Sequence, residues 1–136
     1  MRAIFETNAF GVIAVTQAML PLLREAPAGR VVNVSSEVGS LAMQADPANP
    51  HPDMILAGYG PSKTALNAIT VAFANELKGT RIKVNAACPG FTSTDLNNHA
   101  GTKSVEEGAR EPVRLALLGE DGPTGAFSND EGPLRW

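Results

Sequence analysis

Apolar side chains recur every three or four positions from Phe5 to Leu23, with Phe5, Ala9, Val12, Ile13, Met19, Leu20 and Leu23 on one broad stripe. The spacing predicts a helix, and Pro21 should bend it or cost it a backbone hydrogen bond. The pattern opens almost at the first residue with no capping residue before it, as expected of a domain cut inside an element. Pro27-Ala28-Gly29 then turns the chain. The β-branched run in Arg30-Val31-Val32-Asn33-Val34 predicts a strand buried on both faces, stopping in Ser35 and Ser36 with Gly39 soon after. From about Ser40 to Ala57 the pattern is irregular, and Asp46-Pro47, Asn49-Pro50 and His51-Pro52 exclude a helix or central strand. Helical spacing returns from Gly58 to Leu77 through Leu66, Ile69, Phe73 and Leu77, with Ala65, Ala68, Ala72 and Ala74 adding propensity. Pro61 falls in the first turn, where its missing donor matters little, and Gly79 marks the stop.

A second strand is predicted over Arg81–Cys88, ending in Pro89-Gly90. A third helix runs from Ser104 to Leu118, with Val105, Ala109, Val113 and Leu117 along one side and Ser104 and Glu107 at capping-box spacing. Gly122-Pro123 turns the chain, Gly125-Ala126-Phe127 predicts a short last strand, and residues 129–132 a polar turn. The order helix, strand, helix, strand, helix, short strand implies an α/β fold. Its strands should be parallel and joined by right-handed crossovers, with helices on both faces.

Composition narrows the function classes. Hydrophobic residues make up 43% and charged residues 18% of the 136, the range of a packed globular core. The net charge is -3 and there is no basic stripe, which argues against nucleic-acid binding. No apolar run approaches the roughly 20 residues of a membrane span, so no membrane association is expected. The opening residues lack a signal-peptide apolar block. The single cysteine, Cys88, cannot form an internal disulfide, which fits a reducing cytoplasm. His51 and His99 are far apart and without companions at ligand spacing, so they read as surface loop residues rather than metal ligands.

Candidate chemistry centres on Tyr59-Gly60-Pro61-Ser62-Lys63. Two residues four apart on a helix share a face, and an ammonium beside a phenol favours the phenolate. The pair is therefore a candidate proton donor and acceptor, with a lowered tyrosine pKa expected. Ser35 and Ser36 lie at the carboxyl end of a strand, where open α/β sheets bind ligands. A hydroxyl there can donate to a substrate oxygen or simply form the turn. Met54, Ile55 and Leu56 can fold over a cleft or fill a satellite core.

These residues together resemble the C-terminal half of a short-chain dehydrogenase/reductase of the carbonyl-reductase kind, over essentially the whole chain. Tyr59-Gly60-Pro61-Ser62-Lys63 matches the family's Tyr-x-x-x-Lys signature. Val32-Asn33-Val34-Ser35-Ser36 resembles the strand bearing its catalytic serine, with Ser36 at that position. Asn8 within Thr7-Asn8-Ala9-Phe10-Gly11 resembles its helix asparagine. Pro89-Gly90 with Thr94 resembles the loop around the nicotinamide carboxamide, and Asp121–Gly125 followed by Gly132–Trp136 resembles a family C-terminus.

The resemblance implies a partial Rossmann fold, a doubly wound parallel sheet of about three strands with flanking helices. Residues 1–136 would form the catalytic half, without the N-terminal dinucleotide-binding half. It implies Asn8, Ser36, Tyr59 and Lys63 as catalytic residues, and Tyr59, Lys63, Pro89, Gly90 and Thr94 around the cofactor. That cofactor is NADP or NAD, with NADP favoured, and the substrate is a small carbonyl or alcohol. Tyr59 would protonate the carbonyl oxygen, Lys63 would lower its pKa and hold the ribose, and Ser36 would bind the substrate oxygen. Asn8 would hold a relay water or act as a helix-packing amide, and Thr94 would orient the nicotinamide or cap a helix.

Two departures stand out. The glycine-rich dinucleotide loop is missing, and the stretch between Ser36 and Tyr59 is longer than usual, resembling reductases whose insertion covers an oligomer surface. An inactive fragment acting through association with another chain, including a homo-oligomer, is the alternative, and a nucleotide-free α/β binding module a third. The open strand edge left by a missing half predicts marginal stability or self-association.

Overall fold

A computed structural model describes residues 1–49 and 57–136. His51 and the apolar group Met54, Ile55 and Leu56 lie outside the described residues.

The first helix, α1, runs Arg2–Glu25. It is α-helical over Arg2–Phe5, makes a π-helical turn over Glu6–Phe10, and is α-helical again over Gly11–Glu25 with Pro21 inside. Ile13, Leu20 and Leu23 pack on the main core cluster, while Phe10, Val15, Met19 and Leu22 stay exposed. By length and composition this helix is long and apolar enough to cross a membrane, contrary to the expectation from the sequence. Mean hydropathy over a window tolerates the scattered polar residues that interrupt every individual run. Its packing of Ile13, Leu20 and Leu23 nevertheless gives it a seat against the sheet.

Strand β1 is Arg30–Val34, followed by a 3₁₀ turn at Glu37–Gly39 and the short helix α2, Leu41–Gln44. Helix α3 is Tyr59–Glu76 and strand β2 is Lys83–Ala87. A 3₁₀ turn at Asp95–Asn97 precedes α4, Val105–Ala116. Strands β3, Phe127–Asn129, and β4, Gly132–Pro133, close the fold. The sheet order is β1-β2-β3-β4, parallel from β1 to β3, with β4 folding back antiparallel. The predicted alternation and parallel pairing are thus present, with one short hairpin strand added.

The core sits between the sheet and the pair α1 and α3. Phe73 and Ala74 of α3 and its C-cap Leu77 meet Ile82 and Val84, with Val31 and Ile69 at the margin. A smaller cluster joins Ala86, Cys88 and Phe127 to Leu134 and Trp136. Trp136 stacks on Phe127 with ring centroids 5.3 Å apart. The chain end also braces the segment after β1: Ser40 Oγ donates to Arg135 O at 2.7 Å and Ala42 N to Trp136 O at 2.9 Å.

On the opposite face α4 starts with the predicted capping box, in which Ser104 N donates to Glu107 Oε2 and Glu107 N to Ser104 Oγ. Glu111, 3% exposed, accepts from Ser128 Oγ on β3 and pairs with Arg114. Burial pushes its carboxyl up, but the Arg114 and Ser128 hydrogen bonds outweigh that and hold it below its ordinary value.

One element differs from expectation. β1 is not buried on both faces: Val34 is 49% exposed and only Asn33 is fully buried within the strand. The β-branched run set the strand correctly, but β1 is the edge of the sheet, so nothing covers Val34.

Candidate active site

Tyr59 opens α3, and Lys63 follows one turn later on the same face. That face looks onto the carboxyl end of β1. Lys63 Nζ donates to the carbonyl of Val34 at 2.8 Å and stands 5.5 Å from the centroid of the Tyr59 ring. Two residues beyond Val34, the Ser36 side chain lies close enough to the Tyr59 phenol to pull its pKa down. It also accepts from Val38 N at 3.4 Å, which caps the 3₁₀ turn. Ser36 thus forms the turn, and its side chain lies beside the phenol. Ser35 is not equivalent: it is buried, and its hydroxyl donates to Asn67 Oδ1.

A ladder of buried polar side chains fixes this register. Asn33 Nδ2 donates to Thr70 Oγ1 at 2.8 Å, Ser35 pairs with Asn67, and Asn67 Nδ2 donates to Gly39 O at 3.2 Å. Lys63, Asn67 and Thr70 occupy one helix face, and Asn33 and Ser35 one strand face. Gly39 lies against the same helix, where a β-carbon would meet the Lys63 carbonyl carbon at 2.7 Å. The sequence reading missed this ladder, although spacings of four and three on α3 against two on β1 carry its signal.

Asn8 lies within the π-helical turn, and its Nδ2 donates to Ser62 Oγ at 3.0 Å. Ser62, fully buried, donates in turn to the carbonyl of Tyr59 at 2.7 Å. Asn8 thus reaches the first turn of α3 through Ser62, a residue the sequence reading did not single out. Its amide makes the packing contact, and no bond to Lys63 occurs among the described residues.

At the end of β2, Gly90 takes a left-handed backbone, φ +71°, which glycine accepts without strain. Gly90 N donates to Cys88 Sγ at 3.4 Å, and Thr92 Oγ1 to Pro89 O at 3.1 Å. Thr94 is the N-cap residue of the 3₁₀ turn Asp95–Asn97, with Thr94 N donating to Asn97 Oδ1 at 3.2 Å. The capping alternative for Thr94 is the one its backbone adopts. Cys88 and Glu37, neither foreseen as site residues, also meet here: Cys88 Sγ lies 3.7 Å from Glu37 Oε1. His99 pairs with Asp95 on the surface.

The electrostatics correct one expectation. The Tyr59 pKa is raised, by burial first and the nearby Cys88 second, with the Ser36 side chain pulling the other way. The Lys63 pKa is lowered by burial, opposed by Cys88. Lys63 does not lower the phenol's pKa because its ammonium is spent on the Val34 carbonyl, and desolvating a phenolate costs more than the remaining charge returns. The phenol is therefore protonated at neutral pH. A protonated phenol beside a serine hydroxyl can place two donors on one oxygen.

The short chain dehydrogenase family profile matches residues 1–104. The short-chain dehydrogenase anuI of Penicillium roqueforti is 42% identical over 87% of this chain and 48% of its own length. Carbonyl reductase (NADPH) 1 of Rattus norvegicus is 33% identical over 96% of this chain and 60% of its own. Among solved structures, salutaridine reductase from Papaver somniferum superposes with a TM-score of 0.76 at 31% identity, covering 93% of this chain and 53% of that one. The NADPH-bound carbonyl reductase from chicken fatty liver gives 0.80 at 26%, covering 97% and 55%. The chain spans about half the length of the curated relatives it matches. With the parallel α/β sheet and the Tyr59–Lys63 helix facing Ser36, these matches establish that the chain belongs to the short-chain dehydrogenase/reductase family.

Proposed function

We propose that this chain is the catalytic half of an NAD(P)-dependent oxidoreductase acting on a small carbonyl or alcohol. The observation that carries the reading is the convergence of the Ser36 hydroxyl, the Tyr59 phenol and the Lys63 ammonium at one strand end. A substrate oxygen between Ser36 and Tyr59 receives two hydrogen bonds, and both strengthen as negative charge develops on it. Tyr59, protonated at neutral pH, delivers the proton to that oxygen. Lys63 brings an ammonium to 5.5 Å from the Tyr59 ring, and Asn8 holds the first turn of α3 in place through Ser62.

The residues present fit the nicotinamide end of a dinucleotide. Gly90, with a left-handed backbone at the end of β2, keeps that turn free of a β-carbon, its only close neighbour there being the flexible end of Lys103, and Lys63 stands beside the Tyr59 ring. No glycine-rich strand-to-helix turn for a pyrophosphate occurs in the chain. A bound nicotinamide supplies or accepts the hydride. NADP is favoured over NAD because relatives named as NADPH carbonyl reductases cover nearly the whole chain. The single thiol, Cys88, fits a cytoplasmic setting.

A second reading is a fragment that acts only in association with another chain, a second copy included. The open edge at β1 favours it, together with the exposed Phe10, Val15, Met19 and Leu22 on the neighbouring α1. One experiment separates the two. NADPH fluorescence is titrated with the purified chain, and turnover of a simple aldehyde is compared with that of Tyr59→Phe. Enhancement on binding, with turnover nearly abolished by the substitution, supports the enzyme reading. Absence of binding supports the fragment reading, and turnover retained in Tyr59→Phe overturns the assignment of Tyr59.

A further inference from the structure

Glu37 follows the substrate-oxygen residue Ser36 directly, and its carboxylate turns towards the ends of the next two strands. Asn129 Nδ2, at the end of β3, donates to Glu37 Oε1 at 3.0 Å, and Cys88 Sγ approaches the same oxygen at 3.7 Å. The carboxylate is therefore held in a fixed orientation by one oxygen. Its second oxygen accepts no hydrogen bond from a described residue. No cation pairs with it either: among the described residues Lys103 is taken by Asp130, Arg135 by Asp46 and Arg114 by Glu111. Glu37 is partly buried. Its neighbour Cys88 lies close enough to Tyr59 and Lys63 to act on the ionisation of both. An oriented, partly desolvated carboxylate without a counter-ion, next to the residue that positions the reacting oxygen, is built to receive a positive charge.

Resting on the function proposed above, we infer that Glu37 selects carbonyl substrates that carry a protonated amine, the ammonium binding its free oxygen while the carbonyl oxygen sits between Ser36 and Tyr59. An ordinary apolar aldehyde would leave the carboxylate desolvated and unpaired. An ammonium-bearing one offsets that cost, so the discrimination appears as a ratio between matched substrates.

The test pairs para-(dimethylaminomethyl)benzaldehyde with its neutral isostere para-isobutylbenzaldehyde. Consumption of NADPH by the chain gives the ratio of their kcat/KM values, and calorimetry gives the ratio of their binding constants. Both ratios favour the amine by about tenfold in the unsubstituted chain, the size of a charge-assisted contact discounted for partial exposure. Glu37→Gln brings both ratios to about one. If Glu37→Gln does not fold, Asn129→Ala gives the readout, because it removes the brace while keeping the charge and lowers the ratios. A ratio near one in the unsubstituted chain, or one unchanged by these substitutions, overturns the inference. Absence of all turnover would count against the oxidoreductase reading of this chain alone, and the binding ratio then decides the role of Glu37 by the same criterion.

Discussion

Gly39 is the position where the site is most sensitive to a single carbon. A β-carbon there would stand 2.7 Å from both the carbonyl carbon and Cβ of Lys63 and 2.9 Å from Thr64 N, where ordinary contact begins at 3.4 Å. None of these atoms can swing aside, since all belong to the backbone of α3 or its first side-chain carbon. In Gly39→Ala the turn carrying Ser36 must therefore retreat from α3 by about 0.7 Å. Overpacking of this kind costs about 1–3 kcal/mol. In the oxidoreductase proposed above, a displacement approaching 1 Å at reacting groups costs up to about a hundredfold in rate, which is about 2.7 kcal/mol and of the same order as the stability loss. The chain has one tryptophan, stacked on Phe127, and one tyrosine, Tyr59. Urea unfolding followed by Trp136 fluorescence reads the stability loss, and phenolate absorbance against pH reads the site. The Ser36 side chain lowers the Tyr59 pKa, so its retreat should move the phenol titration upward. Gly119→Ala, at a glycine with nothing within 4 Å and an ordinary backbone, is the control and should change neither. A Gly39→Ala chain with an unchanged urea midpoint and an unchanged phenol titration would refute the close packing of turn on helix.

Other outcomes follow from the same geometry. Because burial raises the pKa of the only tyrosine, phenolate absorbance in the unsubstituted chain should titrate above the ordinary value of 10.0, higher still in Ser36→Ala and lower in Cys88→Ala. A midpoint at or below 10.0 would contradict the burial of Tyr59. Glu111 behaves in the opposite sense: its folded pKa is depressed, so its stabilisation is present above the ordinary 4.5 and is lost as pH falls through the folded value. Urea midpoints should therefore fall on acidification below about pH 4.5, and Glu111→Gln should flatten that fall while costing about 1–3 kcal/mol at neutral pH. Equal acid sensitivity in the two chains would remove Glu111 as its source.

The sequence disclosed most of this arrangement because its signals were local. Helical spacing and the capping box placed α3 and α4, the β-branched runs placed β1 and β2, and four-residue spacing put Tyr59 and Lys63 on one face. What escaped it depended on which surfaces meet. The exposure of Val34 follows from β1 being an edge, a fact of sheet order rather than of residue type. The rise in the Tyr59 pKa follows from burial, which the Tyr–Lys spacing does not encode. Ser62, Asn67 and Thr70 passed as ordinary members of an alanine-rich helix, though their partners on β1 and α1 make them the pins of the site. Glu37 and Cys88 stand 51 residues apart in the chain, and only the parallel pairing of β1 with β2 makes them neighbours.

The hydrogen bonds at the end of β1 explain how the cluster stands without a strand on its outer side. In a parallel strand the amide and carbonyl of one residue point the same way, and alternate residues face opposite neighbours. Gly29 O and Ser35 N both bond to β2, so the groups of Arg30, Val32 and Val34 point to the open edge. The Val34 carbonyl is the one nearest the site, and Lys63 Nζ takes it. The ammonium thus does two jobs that compete: it satisfies an edge carbonyl and it carries the charge beside Tyr59. A strand added on that side, or a nucleotide ribose offering better acceptors, would draw the ammonium off Val34 and towards the phenol. The phenol then answers to two opposed influences, the burial that raises its pKa and the ammonium charge that a freed Lys63 would bring closer.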